Sequence, residues 1–377
     1  MQHLHSSTRE GDVENEATTQ SGHNKMIYRS TVFGCRLISQ LLLSGEIRPA
    51  MKSIYLLAIA AVLAIGRPAY GHHSGSIFDL ESVATLQGKV SRYQWRNPHV
   101  YIYVEAADRT GRMVEWQVET DATPILSRSG WTASTLAVGD LITVRAYLDR
   151  NEQRHHALLV SLTKSDGVSL TSRSGRHESD VEATDISGIW DVLPGHPERL
   201  VVYGKLTNKG AAKLAEYTTA DDPVADCVPY PSPGIFLLPY LNEIEFLDDR
   251  ILIRNEFFNV DRTVYMDGRG HPENGERSNQ GHSIGRWDGD ILVIDTTLFT
   301  DHRIGNLRGL PSGDKKHVIE KYRLSDDRTK LLIDFTVEDP EYMAEPMTGS
   351  TVWEYAPNFE MLRFECDPEV ASLYKFE

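Results

Sequence analysis

With 377 residues, 40% of them hydrophobic and 25% charged, the chain has ordinary globular composition and length for about two domains. Its 54 Asp+Glu against 39 Lys+Arg leave a net charge of −15. Such a surface disfavours nucleic acid as a partner, because affinity for phosphate backbones depends on cationic groups that displace condensed counterions.

The first chain-order signal begins at Met51. In MKSIYLLAIAAVLAIGRPAYG a single lysine precedes an apolar run, and Ala69-Tyr70-Gly71 forms a small-x-small cleavage site. This is the build of a signal peptide over 51–71, and its apolar run is shorter than the roughly 20 residues of a bilayer-spanning helix. The mature protein is therefore expected to be periplasmic or secreted, with no stable membrane span. Residues 1–50 are polar and rich in Ser, Thr, Glu and His, an awkward passage ahead of an export signal. They read as a non-native or disordered extension, with translation starting at Met51; a tethered protein with a cytoplasmic tail is the alternative. Residues 1–71 hold 7 of the 39 basic and 5 of the 54 acidic residues, so a chain starting at His72 carries 32 against 49, near −17. Cys35 falls in the removed segment, leaving Cys227 and Cys366. An even pair in an oxidising compartment suggests a disulfide, worth roughly 4 kcal/mol in the chain-entropy picture for so long a loop.

Residues 72–164 predict an OB-like β domain. Strands TLQGKVSRYQW, HVYIYVEA and MVEWQVET are followed by a short helix at TPILSRSG and by strands DLITVRAYL and HHALLVSLTK. Tyr93, Trp95, Tyr101 and Tyr103 read as barrel wall rather than as a stacking platform, given the acidic balance. Residues 165–185, polar and aperiodic, mark a linker. In the domain 186–377, TNKGAAKLAEY predicts a helix capped by Thr207 or Asn208. Strands are expected at 242–247, 250–257, 261–266, 281–287, 291–298, 316–324, 330–338, 350–355 and 360–366. An antiparallel meander of this length hides its edges most easily by curling into a larger, lipocalin-like β-barrel. The expected fold class is thus all-β with minor α.

Turn chemistry predicts registers. Asp288-Gly289 as a two-residue hairpin loop would place His282 opposite Asp295, Ile284 opposite Val293 and Arg286 opposite Ile291; a three-residue loop would instead bring Ser283 to Asp295. A four-residue turn would pair Leu324 with Leu331, Tyr322 with Ile333, Glu320 with Phe335 and Val318 with Val337. Glu320 is then an acid among core positions, which must be paired, protonated or facing a cavity. Arg254, Glu256 and Arg262 read as an exposed cross-strand ladder, with Arg262 and Tyr265 on opposite faces.

Two constellations carry candidate chemistry. Cleavage after Gly71 would give His72 a free α-amine beside its own imidazole, followed by His73. Copper(II), which favours such nitrogen donors, is the natural ion, with His99, His155 and His156 completing the site; solvated terminal histidines are the alternative. The second is GHSIGRWDGDILVIDTT, where His282 with Asp295 resembles the acid-oriented imidazole of a general base. His271, Glu273, Asp301, His302 and His317 are candidates for the same end of the barrel, and Glu320 for its interior. Plain structural pairing is the competing account, and Ser283, on the opposite face from His282, argues against a Ser-His dyad.

HHSGSIFDLESVATLQGKVSRYQWRNPHVYIYVEA resembles a family of small exported bacterial proteins of unknown function, through His72, His73, Ser74, Asn97, Pro98 and His99. From DISGIW through GHSIGRWDGDILVIDTT to FEC the chain is similar to a second uncharacterised exported bacterial family. The resemblance implies an exported two-domain protein and no particular reaction. The leading expectation is binding of a small apolar or aromatic molecule within the larger barrel, with copper at the processed amino terminus. A cofactor-independent isomerase, hydratase or lyase using His282 and Asp295 is the first alternative, and an envelope interaction module the second.

Overall fold

The computed structural model describes residues 77–172, 180–193 and 200–373. The extension, the leader, His72 and His73 lie outside them. Among the described residues no helix is long and apolar enough to cross a membrane.

A six-stranded sheet comes first. It comprises β1 (Phe78–Gln94), β2 (Tyr101–Ala107), β3 (Met113–Glu119), β4 (Leu141–Asp149), β5 (His156–Lys164) and the two-residue β6 (Ser169–Leu170), in the order β3-β2-β1-β4-β5-β6. A parallel contact also joins β3 to β5, with β6 lying beyond β5. β1 is long enough to serve both halves: its first part pairs with β4 and its last part with β2. Gly88 lets β1 approach β2 closely, because a Cβ there would stand 2.1 Å from the Glu105 carbonyl oxygen. A bulge between Val90 and Arg92 adds curvature. Alternating residues such as Leu86, Val90, Ile102, Val104, Trp116 and Val144 fill the interior. The short helix α1 (Thr123–Arg128) leads to Trp131, whose indole donates to the Thr171 carbonyl inside the expected linker.

Nine strands among the remaining described residues close a second, larger barrel. They are β7 (Gly188–Val192), β9 (Leu241–Phe246), β10 (Arg250–Asn255), β11 (Val260–Tyr265), β12 (His282–Asp288), β13 (Ile291–Thr297), β14 (His317–Leu324), β15 (Lys330–Glu338) and β16 (Met347–Tyr355). β7 bridges β9 and β16, and β15 pairs with β16 to complete the ring. The three-residue β8 (Leu200–Val202) pairs with β16 beyond β7. Helix α2 (Asn208–Glu216) starts at Thr207, whose hydroxyl accepts from the Gly210 amide, and α3 (Pro368–Ser372) closes the described chain. Residues 360–366 form no strand; Cys366 makes a single bridge to Asn97.

The ring is not wholly antiparallel. β11 and β12 run parallel, with Val264 beside Ser283, so 266–281 is a crossover rather than a hairpin turn. The β14–β15 hairpin has the expected register throughout. The β12–β13 hairpin does not. Asp288 pairs with Ile291, so the loop is Gly289-Asp290 with glycine at φ 66°, and His282 faces Thr297 while Asp295 faces Ile284. The left-handed first loop position favours glycine there, which moves Asp288 into the ladder.

Trp190, Trp353, Tyr322, Phe236 and Ile253 pack the large barrel's interior. Arg262 joins them: it is fully buried, bonds Glu320 at 2.5 Å, and donates to Ser283 and Thr296 at 2.9 and 2.7 Å. The expected exposed ladder is therefore three separate pairings. Arg254 lies on the outer face with Glu243 and Glu245, Arg262 is interior, and Glu256 accepts both guanidinium bonds of Arg128, the last residue of α1, at 2.7 Å. Ala122 and Ile125 share an apolar cluster with Tyr240, Phe257 and Phe364, so the region around α1 and the large barrel bury surface against each other. Cys227 and Cys366 form a disulfide.

Candidate functional site

The parallel β3–β5 contact brings the end of one strand to the start of another, and with them Glu119 and His156. The His156 Nε2 atom lies 3.3 Å from Glu119 Oε2, and its Nδ1 lies 3.9 Å from Asp149 Oδ2. All three side chains are buried. His99, just ahead of β2, approaches the same carboxylate at 3.4 Å through Nδ1, which donates to the Thr120 carbonyl at 2.8 Å. A backbone carbonyl that accepts from Nδ1 is the arrangement that orients ligating histidines. Phe78 pairs with Asp149 and packs edge-on against His156, with ring centroids 4.8 Å apart, so the described chain begins beside this group.

Two carboxylates buried around an imidazole need compensating positive charge. Arg154 supplies part of it at 3.8 Å from Asp149. Of the expected metal ligands, His99 and His156 converge. His155, which immediately precedes β5, turns to the opposite face and packs edge-on to Trp116 in a cleft of about 340 Å³. Glu119 and Asp149 escaped sequence reading because alternation put them among half-buried strand ends, with no motif to mark them. Among the described residues no three His, Cys, Asp or Glu side chains are arranged to hold a metal by themselves.

The expected acid–base residues fall in two places. Glu320 faces the interior with Arg262 and accepts the Tyr322 hydroxyl at 3.1 Å. His282 and Asp295 lie on the outer face of the same sheet and do not touch each other. The crossover 266–281 lays His271 between them: its Nδ1 is 2.9 Å from His282 Nδ1 and its Nε2 is 3.1 Å from Asp295 Oδ1. His317 Nε2 reaches the same Asp295 oxygen at 2.9 Å, and its Nδ1 faces Glu338 at 3.3 Å. His282 stacks on Tyr265 at 5.1 Å, and Arg269 lies 4.0 Å from the Tyr265 ring centroid. Burial, then His271 and Arg269, hold the His282 pKa below the ordinary imidazole value. His302 belongs elsewhere, in a buried polar group with Lys316. Glu338 is the member not named from the sequence; it is the direct cross-strand partner of His317 in the β14–β15 ladder, so the expected register already paired the two.

A family of unknown function, DUF6152, matches residues 60–158, a stretch that takes in β1 to β4 and the first residues of β5. No match is found among curated proteins.

Proposed function

We propose that this is an exported protein whose small barrel holds a copper(II) ion at its processed amino terminus. The carrying observation is the convergence of His99 and His156 on the buried Glu119, beside Asp149 and next to the strand that follows His72 and His73. Imidazole nitrogens and a free α-amine supply the donors copper(II) prefers, and the two carboxylates supply the negative charge that a dication neutralises. The strand order and the closing parallel pair support an OB-type barrel for this half. The second half reads as the fused uncharacterised family suggested by GHSIGRWDGDILVIDTT. A small apolar or aromatic molecule, the ligand expected of the large barrel, then has its contact surface at the exposed Phe246 and Trp287, 6.2 Å apart, since the interior is packed with side chains.

The test is to express the full chain in an exporting host, confirm His72 as the first residue by mass, and load it with copper(II). One copper per chain, with nitrogen hyperfine structure in its spin-resonance spectrum, is expected. Glu119→Gln and His156→Ala should each weaken binding at least about tenfold. A processed wild-type chain that takes up no stoichiometric copper, or variants that bind it unchanged, would overturn the reading.

A further inference from the structure

The outer-face group on the large barrel has a direction, which its donors set. Asp295 Oδ1 receives His271 Nε2 at 3.1 Å and His317 Nε2 at 2.9 Å, so an ionised Asp295, an acceptor only, takes a proton from each ring. A neutral His271 that donates from Nε2 has its lone pair on Nδ1. The 2.9 Å contact between the two Nδ1 atoms then requires His282 to donate. His282 is left with its lone pair on Nε2, in a half-buried ring whose printed hydrogen bond is made through Nδ1. The ring is held on one side by Tyr265 and at its edge by His271. The relay therefore ends in an oriented, half-buried base on an aromatic surface.

We propose that His282 Nε2 is the catalytic base of a second site, independent of the copper site, that removes a proton from planar hydrophobic carbon acids, with His271 and Asp295 as positioning residues. In the step a C–H bond of the bound molecule breaks, its proton passes to Nε2, and its electron pair stays in the molecule's conjugated system. The Nδ1 proton of His282 moves to His271 Nδ1, and the resulting imidazolium faces the Asp295 carboxylate. Return of the proton to the same or a neighbouring carbon closes the cycle, so no co-reactant is consumed. The planar, apolar preference follows from Tyr265 and from Ile284, which shares the outer face with His282. The charged groups around the ring are His271, Asp295, His317 and Glu338 along the relay, and Arg269 with its partner Asp267 on the crossover. Arg250 approaches Tyr265 from β10. Burial first, then His271 and Arg269, favour the unprotonated form of the His282 ring.

Two measurements on the full chain test this. Nitrogen-15 NMR of the histidine-labelled protein should find His282 as the Nδ1–H tautomer. Cleavage of 5-nitrobenzisoxazole, a planar carbon acid whose C–H loss opens the ring to a coloured phenolate, should proceed in the wild type. It should fall roughly tenfold or more in His282→Ala or His282→Gln. Asp295→Asn should lower the midpoint of the pH–rate profile, and Asp295→Glu should restore it. An Nε2–H tautomer for His282, a wild-type rate equal to that of both His282 variants, or a profile unmoved by Asp295→Asn would overturn the proposal. The tautomer measurement needs no variant and stands even where a substitution fails to fold.

Discussion

His302 shows how a single ring can couple this fold to pH. The Ile304 amide donates to His302 Nδ1 at 3.1 Å, so that nitrogen must keep its lone pair. Burial first, then the nearby Lys316 charge, lower its pKa to about 4 from the ordinary 6.5. Between those values the unfolded chain binds more protons than the folded one, so stability rises with pH there and is lost as pH falls from 6.5 to 4. The shift corresponds to on the order of 3 kcal/mol. Urea midpoints of the wild type should drop across this window, and His302→Gln should flatten the drop; parallel curves would assign it to other groups. Lys316 obeys the same sign in a different range. Its ammonium donates to the Ser232 and Gly305 carbonyls at 2.6 Å, and burial lowers its pKa to about 7, so its contribution increases from pH 7 toward 10.5. His302 was a candidate from the sequence only as an acid–base group at one end of the barrel, and Lys316 did not stand out, because a lysine or histidine near a strand end usually remains solvated. Glu320 did stand out, since strand alternation placed an acid on an apolar face. Its partner did not: Arg262 carried no sign of which acid it would meet.

Among elements, the strands were largely legible and the connections were not. The β14–β15 register follows from a four-residue turn between two alternating runs. The β12–β13 register slipped because Asp288-Gly289 and Gly289-Asp290 are both acceptable turn dipeptides, and a shift of loop moves every pairing. The crossover 266–281 was expected to be loop, yet nothing local says that it returns the chain for a parallel pairing, and it is this return that lays His271 between His282 and Asp295. The disulfide is the opposite case, since Cys227 and Cys366 are the two cysteines that follow residue 71. It joins positions 139 apart, tying Cys227 beyond a 3-10 turn to the segment after β16. Replacing both cysteines by serine should lower unfolding free energy by about 4 kcal/mol in the chain-entropy picture. Denaturant unfolding of this variant beside the wild type measures it, and an unchanged midpoint would show that the unfolded chain is already restricted.

At the scale of the whole molecule, the contact between barrels depends on a buried charge pair. Glu256 is inaccessible and holds Arg128 through two bonds of 2.7 Å, while its Oε1 also accepts the Leu362 amide at 2.8 Å. Arg128→Leu would leave that carboxylate buried without its cation, a loss of about 3–5 kcal/mol. Calorimetry should show the wild type unfolding in one transition and the variant with a lower or divided one; an unaltered trace would mean that the apolar cluster shared by Ile125, Phe257 and Phe364 suffices. By itself the sequence determined most of the strands, the all-β class, the capped helix and the cysteine pair, because alternation, turn dipeptides and cysteine count are local or compositional signals. Only the tertiary structure decided which ionisable groups meet: Glu119 with His99 and His156, His271 between His282 and Asp295, Arg262 with Glu320. Such meetings depend on strand order, register and barrel closure, and a one-residue change of register turns a side chain to the other face of the sheet.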